Sequence, residues 1–176
     1  MRKSFIVVLA AASIFAFVDR VSWAEDESQD AADMAKALGQ ASVTLQQGLK
    51  ASQREGSPIS GKYELENGVL QLSVYAMKGD QFVEVIVDHK SGTIKKAETI
   101  TDAADLKAAH EQSQVMAKAK VPLDQAVEAA VKEASCCYRG NYRAVSVVPM
   151  LKADQPVADI TLMGGKEVTK VTGKLD

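Results

Sequence analysis

Residues 59–76 read ISGKYELENGVLQLSVYA, and the fold turns on this stretch. Asn67-Gly68 is a dipeptide that accepts the positive φ angles of a two-residue hairpin turn. After it, Leu70, Leu72, Val74 and Ala76 alternate with Gln71, Ser73 and Tyr75, the period of two that half-buries a strand. Before it, Ile59 to Glu66 supplies the other arm of the hairpin. Outward on the C-terminal side, Lys78-Gly79-Asp80 turns the chain into a strand over Phe82 to Val87. Asp88-His89-Lys90-Ser91-Gly92 then turns it into Thr93 to Thr99. Outward on the N-terminal side, Thr44 and Gln47 form a Thr-x-x-Gln capping box that opens a helix burying Leu45, Leu49 and Ala51. Glu55-Gly56-Ser57-Pro58 ends that helix, and Met34, Ala37, Leu38 and Ala41 give an earlier helical period weakened by Gly39. The pattern is one helix followed by an antiparallel meander.

The second half repeats it. Val43-Thr44-Leu45-Gln46-Gln47-Gly48-Leu49 matches Val121-Pro122-Leu123-Asp124-Gln125-Ala126-Val127, 78 residues later. Leu123, Ala126, Val127, Ala130, Val131 and Ala134 form an apolar helix face. Arg143 to Val148 and Val157 to Met163 read as strands, Gly164-Gly165 as a turn, and Lys166 to Thr172 as a last strand. Between the halves, Asp102 caps a helix whose inner face is Leu106, Ala109, Ser113, Met116 and Ala117. A repeat this long exceeds solenoid periods, so duplication of a small α+β unit is the simpler account.

Arg2 and Lys3 precede an apolar run from Phe5 to Val18 that is shorter than a bilayer span, and Ser22 and Ala24 are the small residues a signal peptidase needs. Residues 1–24 therefore read as a signal peptide cleaved after Ala24, with a secreted or periplasmic product. Asp19 and Arg20 are polar for this region, which leaves retention as a membrane anchor as the other reading. Glu25 to Asp33 carries five acidic residues and no basic one, and reads as a flexible lead-in. The divisions that follow are a first unit over 34–100, a helical linker over 101–120 and a shortened second unit over 121–176.

The whole chain has 47% hydrophobic and 25% charged residues with a formal net charge of −2, the balance of a folded protein without the footprint of a nucleic-acid binder. Removing residues 1–24 leaves 18 basic against 22 acidic side chains. The only Trp and three of the four Phe leave with the signal, which argues against aromatic stacking platforms for sugars or single strands.

Each half resembles a PepSY domain, the module of thermolysin-type propeptides and a spore-germination protein. The residues that carry the resemblance are Leu45-Gln46-Gln47-Gly48 and Val87-Asp88-His89-Lys90-Ser91-Gly92 in the first half. In the second they are Leu123-Asp124-Gln125-Ala126 and Val168-Thr169-Lys170-Val171-Thr172-Gly173. The resemblance implies an α+β fold of two helix-plus-meander units and a non-catalytic protein that binds or regulates an exported peptidase or another envelope protein. An envelope binder of small ligands or metal ions, and a structural envelope protein, are the alternatives.

Chemistry-bearing motifs are few. His110-Glu111-Gln112-Ser113-Gln114 begins like a zinc-protease helix, but Gln114 stands where the second histidine ligand belongs. No nucleophile, base and orienting group occur in recognisable order, so the expectation is no catalytic residue, no metal ligand and no cofactor. Asp88 reads first as an Asx-type turn residue and second as a partner contact, with His89 beside it. Lys95 and Lys96 mark the 93–99 strand as a sheet edge open to a partner. Cys136-Cys137 is an adjacent pair in an exported chain, a candidate for a vicinal or interchain disulfide or for redox function.

Overall fold

The computed structural model describes residues 21–137 and 140–176. Most of the expected signal peptide, 1–20, lies outside the described residues. The elements run α1 (Val21–Leu38), α2 (Leu45–Ser52), β1 (Ser57–Glu66), β2 (Val69–Lys78), β3 (Gln81–Val87), β4 (Ile94–Thr99), α3 (Ala103–Met116), α4 (Leu123–Cys137), β5 (Arg143–Lys152), β6 (Gln155–Gly164) and β7 (Glu167–Lys174). The seven strands form one antiparallel sheet in the order β4-β3-β2-β1-β5-β6-β7, giving an α+β architecture.

The alternation in residues 70–76 decides which face is which. Leu70, Leu72, Val74 and Ala76 join Val83, Val85 and Val87 of β3 in the main core, under α1, α2 and α4. The opposite parity, with Tyr75 and Phe82, meets α3 in a smaller cluster with Ile59, Ile100 and Ala109. Helix α2 starts where the capping box places it: the Gln47 N–H donates to Thr44 Oγ1 and the Thr44 N–H donates to Gln47 Oε1. Helix α3 is capped by Asp102, whose Oδ1 accepts the Ala104 and Asp105 N–H groups. Its inner face differs from the expected one, since Leu106 is 37% exposed while Val115 is buried. The helix lies across the sheet on Ala109 and Met116, which turns Leu106 to solvent.

Residues 25–33 lie within α1 rather than in a loose lead-in. Ala31, Met34, Ala35 and Ala37 pack against the core at helical spacing, so the apolar face begins before the Met34 at which the sequence pattern was expected to start.

The strands and turns of the two halves share local geometry at an offset of 86 residues, against 78 for the helices that precede them. Strands β1, β2 and β3 recur 86 residues later as β5, β6 and all but the last residue of β7. The bulge between Pro58 and Ser60 recurs between Ala144 and Ser146. Asn67-Gly68, with φ of 51° and 77°, recurs as Ala153-Asp154, with φ of 49° and 62°. The sequence did not announce that second turn, because Ala153 lacks the usual chemistry for a positive φ; as a result β5 and β6 run longer than expected. The His89 carbonyl accepts the N–H groups of Ser42 and Val43, and the Leu175 carbonyl accepts those of Lys120 and Val121.

This register corrects the placing of the second closing motif. Gly173 sits inside β7 opposite Ala158, and the position equivalent to Asp88 is Lys174, so Val168 to Gly173 is strand rather than a closing turn. The meanders meet at the centre of the sheet, where Gly61 pairs with Val147 and Lys62 with Ser146.

Candidate functional site

Asp88 sits where β3 gives way to the turn, and its neighbours account for it as turn chemistry. Its Oδ1 accepts the Lys90 and Ser91 N–H groups at 2.8 Å each, its backbone carbonyl accepts the Gly92 N–H, and Gly92 closes the bend at φ 76°. Lys95 Nζ lies 2.9 Å from Oδ2. The Lys95 hydrogen bond, aided by the Ser91 and Lys90 N–H groups, holds the carboxyl well below the usual carboxylate range.

The four residues singled out for partner contact therefore do not share one site. Asp88 and Lys95 come together; His89 uses its carbonyl to hold the loop before α2, and its Nδ1 is buried without a hydrogen-bond partner. Lys96 pairs with Glu98, 2.7 Å away along β4, which raises the lysine pKa. β4 ends the sheet, as expected of the 93–99 strand.

Two features were missed in the sequence. The first is Arg143, at the start of β5, which reaches back across the molecule. Its Nη1 donates to the Leu38 carbonyl at 2.6 Å and the Ala41 carbonyl at 2.9 Å, and its Nη2 donates to the Val43 carbonyl at 2.8 Å. One cation thus satisfies the end of α1 and the loop that leads to α2. Tyr63 donates to the same Val43 carbonyl, and burial pushes its phenol up to about 12 against the opposing pull of Arg143.

The second is the charged surface on the α3 side of the first half. Glu64, Glu66, Glu84, Glu98 and Asp105 line an open depression of about 710 Å³ together with Lys62, Lys95 and Lys96. Lys62 lies 2.6 Å from Glu64, and Ser73 Oγ donates to Glu64. Tyr75 is held well above the ordinary phenol range by burial, reinforced by the neighbouring carboxylates of Asp105, Glu84 and Glu64. Alternation of Lys62, Glu64 and Glu66 with core residues was the available signal. Lys62 with Glu64, Lys96 with Glu98 and Lys95 with Asp88 form ion pairs on this solvated, mixed-charge face.

Cys136 and Cys137 are free and exposed at the end of α4. Adjacent Cα atoms stand about 3.8 Å apart, shorter than the usual disulfide separation of about 4.4–6.8 Å, and successive helical side chains diverge; a vicinal bond therefore needs the last turn of α4 to unwind. His110 packs edge-on against Phe82 with ring centroids 5.7 Å apart. Among the described residues, no three His, Cys, Asp or Glu side chains are grouped so that they could hold a metal ion, and no helix is long and apolar enough to cross a membrane.

No family model matches the chain, and no curated protein matches it. Among solved structures, a protein from Clostridium difficile 630 described as a "putative lipoprotein" aligns over 72% of this chain and 80% of its own, with 14% identity and a TM-score of 0.40. Similarity at that level specifies neither the fold nor the function of this chain.

Proposed function

We propose that this chain is exported, loses residues 1–24, and acts as a non-catalytic binding module of two PepSY-like units that restrains or senses an exported peptidase or another envelope protein. The observation that carries this reading is the repeated geometry of the halves. Bulge, hairpin turn and loop-holding carbonyl recur at one offset, as expected of a duplicated helix-plus-meander unit. The resulting sheet has open strands at its ends, and such strands offer unpaired N–H and C=O groups to an extended segment of a partner. The chemistry of the surface fits binding better than turnover, because its charged groups are engaged with one another in ion pairs and turns.

The test uses the mature chain, residues 25–176, as bait for exported proteins of its host and as an additive to thermolysin-type proteases. Capture of an exported protein, or slowing of a protease in proportion to the amount added, supports the reading. If the chain instead turns over a substrate, or binds one of a panel of divalent metals tightly without capturing any protein, the ligand-binding alternative replaces it. Mass spectrometry of exported material should give Glu25 as the first residue; an intact Met1 in a membrane fraction would contradict processing.

A further inference from the structure

β7 closes the sheet at the end opposite β4 and occupies the place that β3 has in the first half. Among the described residues, and unlike β3, it is paired on one side only. The direction of its free groups follows from β3. The Phe82 carbonyl accepts the Ile100 N–H and the Asp88 N–H donates to the Thr93 carbonyl, so the even-numbered residues of β3 turn their backbone groups toward β4. Their counterparts are Val168, Lys170, Thr172 and Lys174. The Leu175 N–H, of the other parity, donates inward to the Pro156 carbonyl. Four residues of β7 therefore present N–H and C=O groups to an unfilled strand position.

Both faces of that position have a definite chemistry. On the helix side, α4 has 15 residues where α2 has eight, and its added turns extend over a groove of about 490 Å³ walled mainly by Ala129, Ala130, Ala134, Val171 and Gly173, with Gln125 and Glu133 also lining it. Small apolar side chains fit there. On the other side, Lys170 and Lys174 alternate with Val168 and Thr172 and are exposed, and Lys166 precedes them in the turn. On this face Asp159 accepts Lys152 Nζ and Thr172 Oγ1 and is also drawn on by Lys170, so one carboxylate is shared between Lys152 and Lys170. The edge is left cationic.

We propose that the β7 edge docks an extended acidic segment of another protein as an eighth strand, with small apolar residues under α4 alternating with Asp or Glu beside Lys170 and Lys174. The proposal rests on the reading of the chain as a protein-binding module and names the surface it uses. β4 on β3 is the precedent within the molecule. A second copy of the chain is a poorer occupant. Pairing β7 with β7 sets lysines against lysines, and pairing β7 with β4 brings Lys95 and Lys96 against Lys170 and Lys174.

The probe is a capped octapeptide of alternating valine and glutamate, with a valine–lysine octapeptide as control. Each is titrated into the mature chain by fluorescence polarisation while backbone amide shifts are followed by NMR. The glutamate peptide should bind, with shifts concentrated in Val168–Lys174 and in Ala129–Cys137. Lys170→Glu combined with Lys174→Glu should raise Kd about tenfold or more. Thr172→Pro, which removes one open-edge N–H, should abolish binding. Lys95→Glu with Lys96→Glu should leave Kd unchanged. If Thr172→Pro loses the native circular dichroism, the charge-reversed pair decides alone. Equal binding of the lysine peptide, shifts centred on β4, an unchanged Kd in the charge-reversed chain, or dimerisation mapped to β7 would each overturn the proposal. Capture of an exported protein that survives the charge reversal refutes this surface while leaving the binding-module reading standing. Peptide docking at β7 by a chain that captures no exported protein does the reverse.

Discussion

Exchanging one pair of side chains between the halves tests the repeated geometry at the level of packing. Gly48 of α2 faces Leu72 of β2, and a Cβ at Gly48 would lie 2.5 Å from Leu72 Cδ2 and 3.1 Å from its Cγ. Leu72 is fully buried and has nowhere to move. The equivalent positions in the second half are Ala126 and Ala158, so there the helix has gained a methyl and the strand has lost an isopropyl group. Gly48→Ala alone should add about 1–3 kcal/mol of overpacking and recover about 1 kcal/mol of helix propensity, for a net loss of about 0–2 kcal/mol. Leu72→Ala alone should cost about 2–5 kcal/mol, at the upper end because Gly48 offers nothing to fill the void. In that background the same Gly48→Ala substitution has room. It should reverse sign and stabilise by about 1–2 kcal/mol, through propensity and partial filling of the cavity. The measured quantity is a coupling of about 1–4 kcal/mol from urea unfolding of the four proteins, with m-values checked for constancy. Equal effects of Gly48→Ala in the two backgrounds would refute the contact on which the argument rests.

Arg143→Ala should destabilise by about 2–3 kcal/mol in the same assay, because three carbonyls lose a charged donor. Arg143→Lys should recover less than half of that, since an ammonium lacks the guanidinium fork. For Asp88 the folded pKa is depressed, so its contribution is present above the ordinary aspartate value of about 3.9 and is lost as pH falls toward the folded pKa. The stability gap between the native chain and Asp88→Asn should therefore be open at pH 7 and narrow steadily below about pH 4, measured as denaturation midpoints across a pH series. Exported material analysed without reductant should have Cys136 and Cys137 oxidised. Because the helix separates adjacent thiols, the product should be a disulfide-linked dimer rather than a monomer two mass units lighter; full alkylation of untreated material would count against it.

The first half was legible because its signals are local. Thr44 and Gln47 fix a helix start, Asn67-Gly68 fixes a turn, and Asp88 with Gly92 fixes another, each through contacts spanning a few residues. The second half hid its equivalent turn because Ala153-Asp154 takes left-handed angles that sequence chemistry does not advertise; the flanking ladder from Arg143–Met163 to Lys152–Gln155 imposes them. The joining of the meanders was not legible either, since the Gly61–Val147 and Lys62–Ser146 pairs span 86 and 84 residues and leave no periodic trace. The same holds for Arg143, whose acceptors lie about a hundred residues earlier. Lys95 and Lys96 were placed correctly on an edge, yet each has a carboxylate partner that distance along the chain did not single out.

The seam between the halves is held by more than its strands. Only two registered pairs join β1 to β5, which is a weak bond for the centre of a sheet. The remaining cohesion comes from the faces. On one face α2 and α4 lie side by side over a shared core that runs from Leu72 and Val74 through Val147 to Ile160 and Leu162. On the other, α3 crosses the seam, touching both β1 and β5. Arg143 adds a polar tie from the second half to the end of α1 in the first. Gly61 makes the arrangement possible: a Cβ there would lie 3.2 Å from Leu49 and 3.3 Å from Leu45, so the bare backbone lets α2 sit down on the strand that carries the seam. The halves are thus welded by helices and side chains more than by their strands, and the outer strands, β4 and β7, remain the ends at which the sheet can grow.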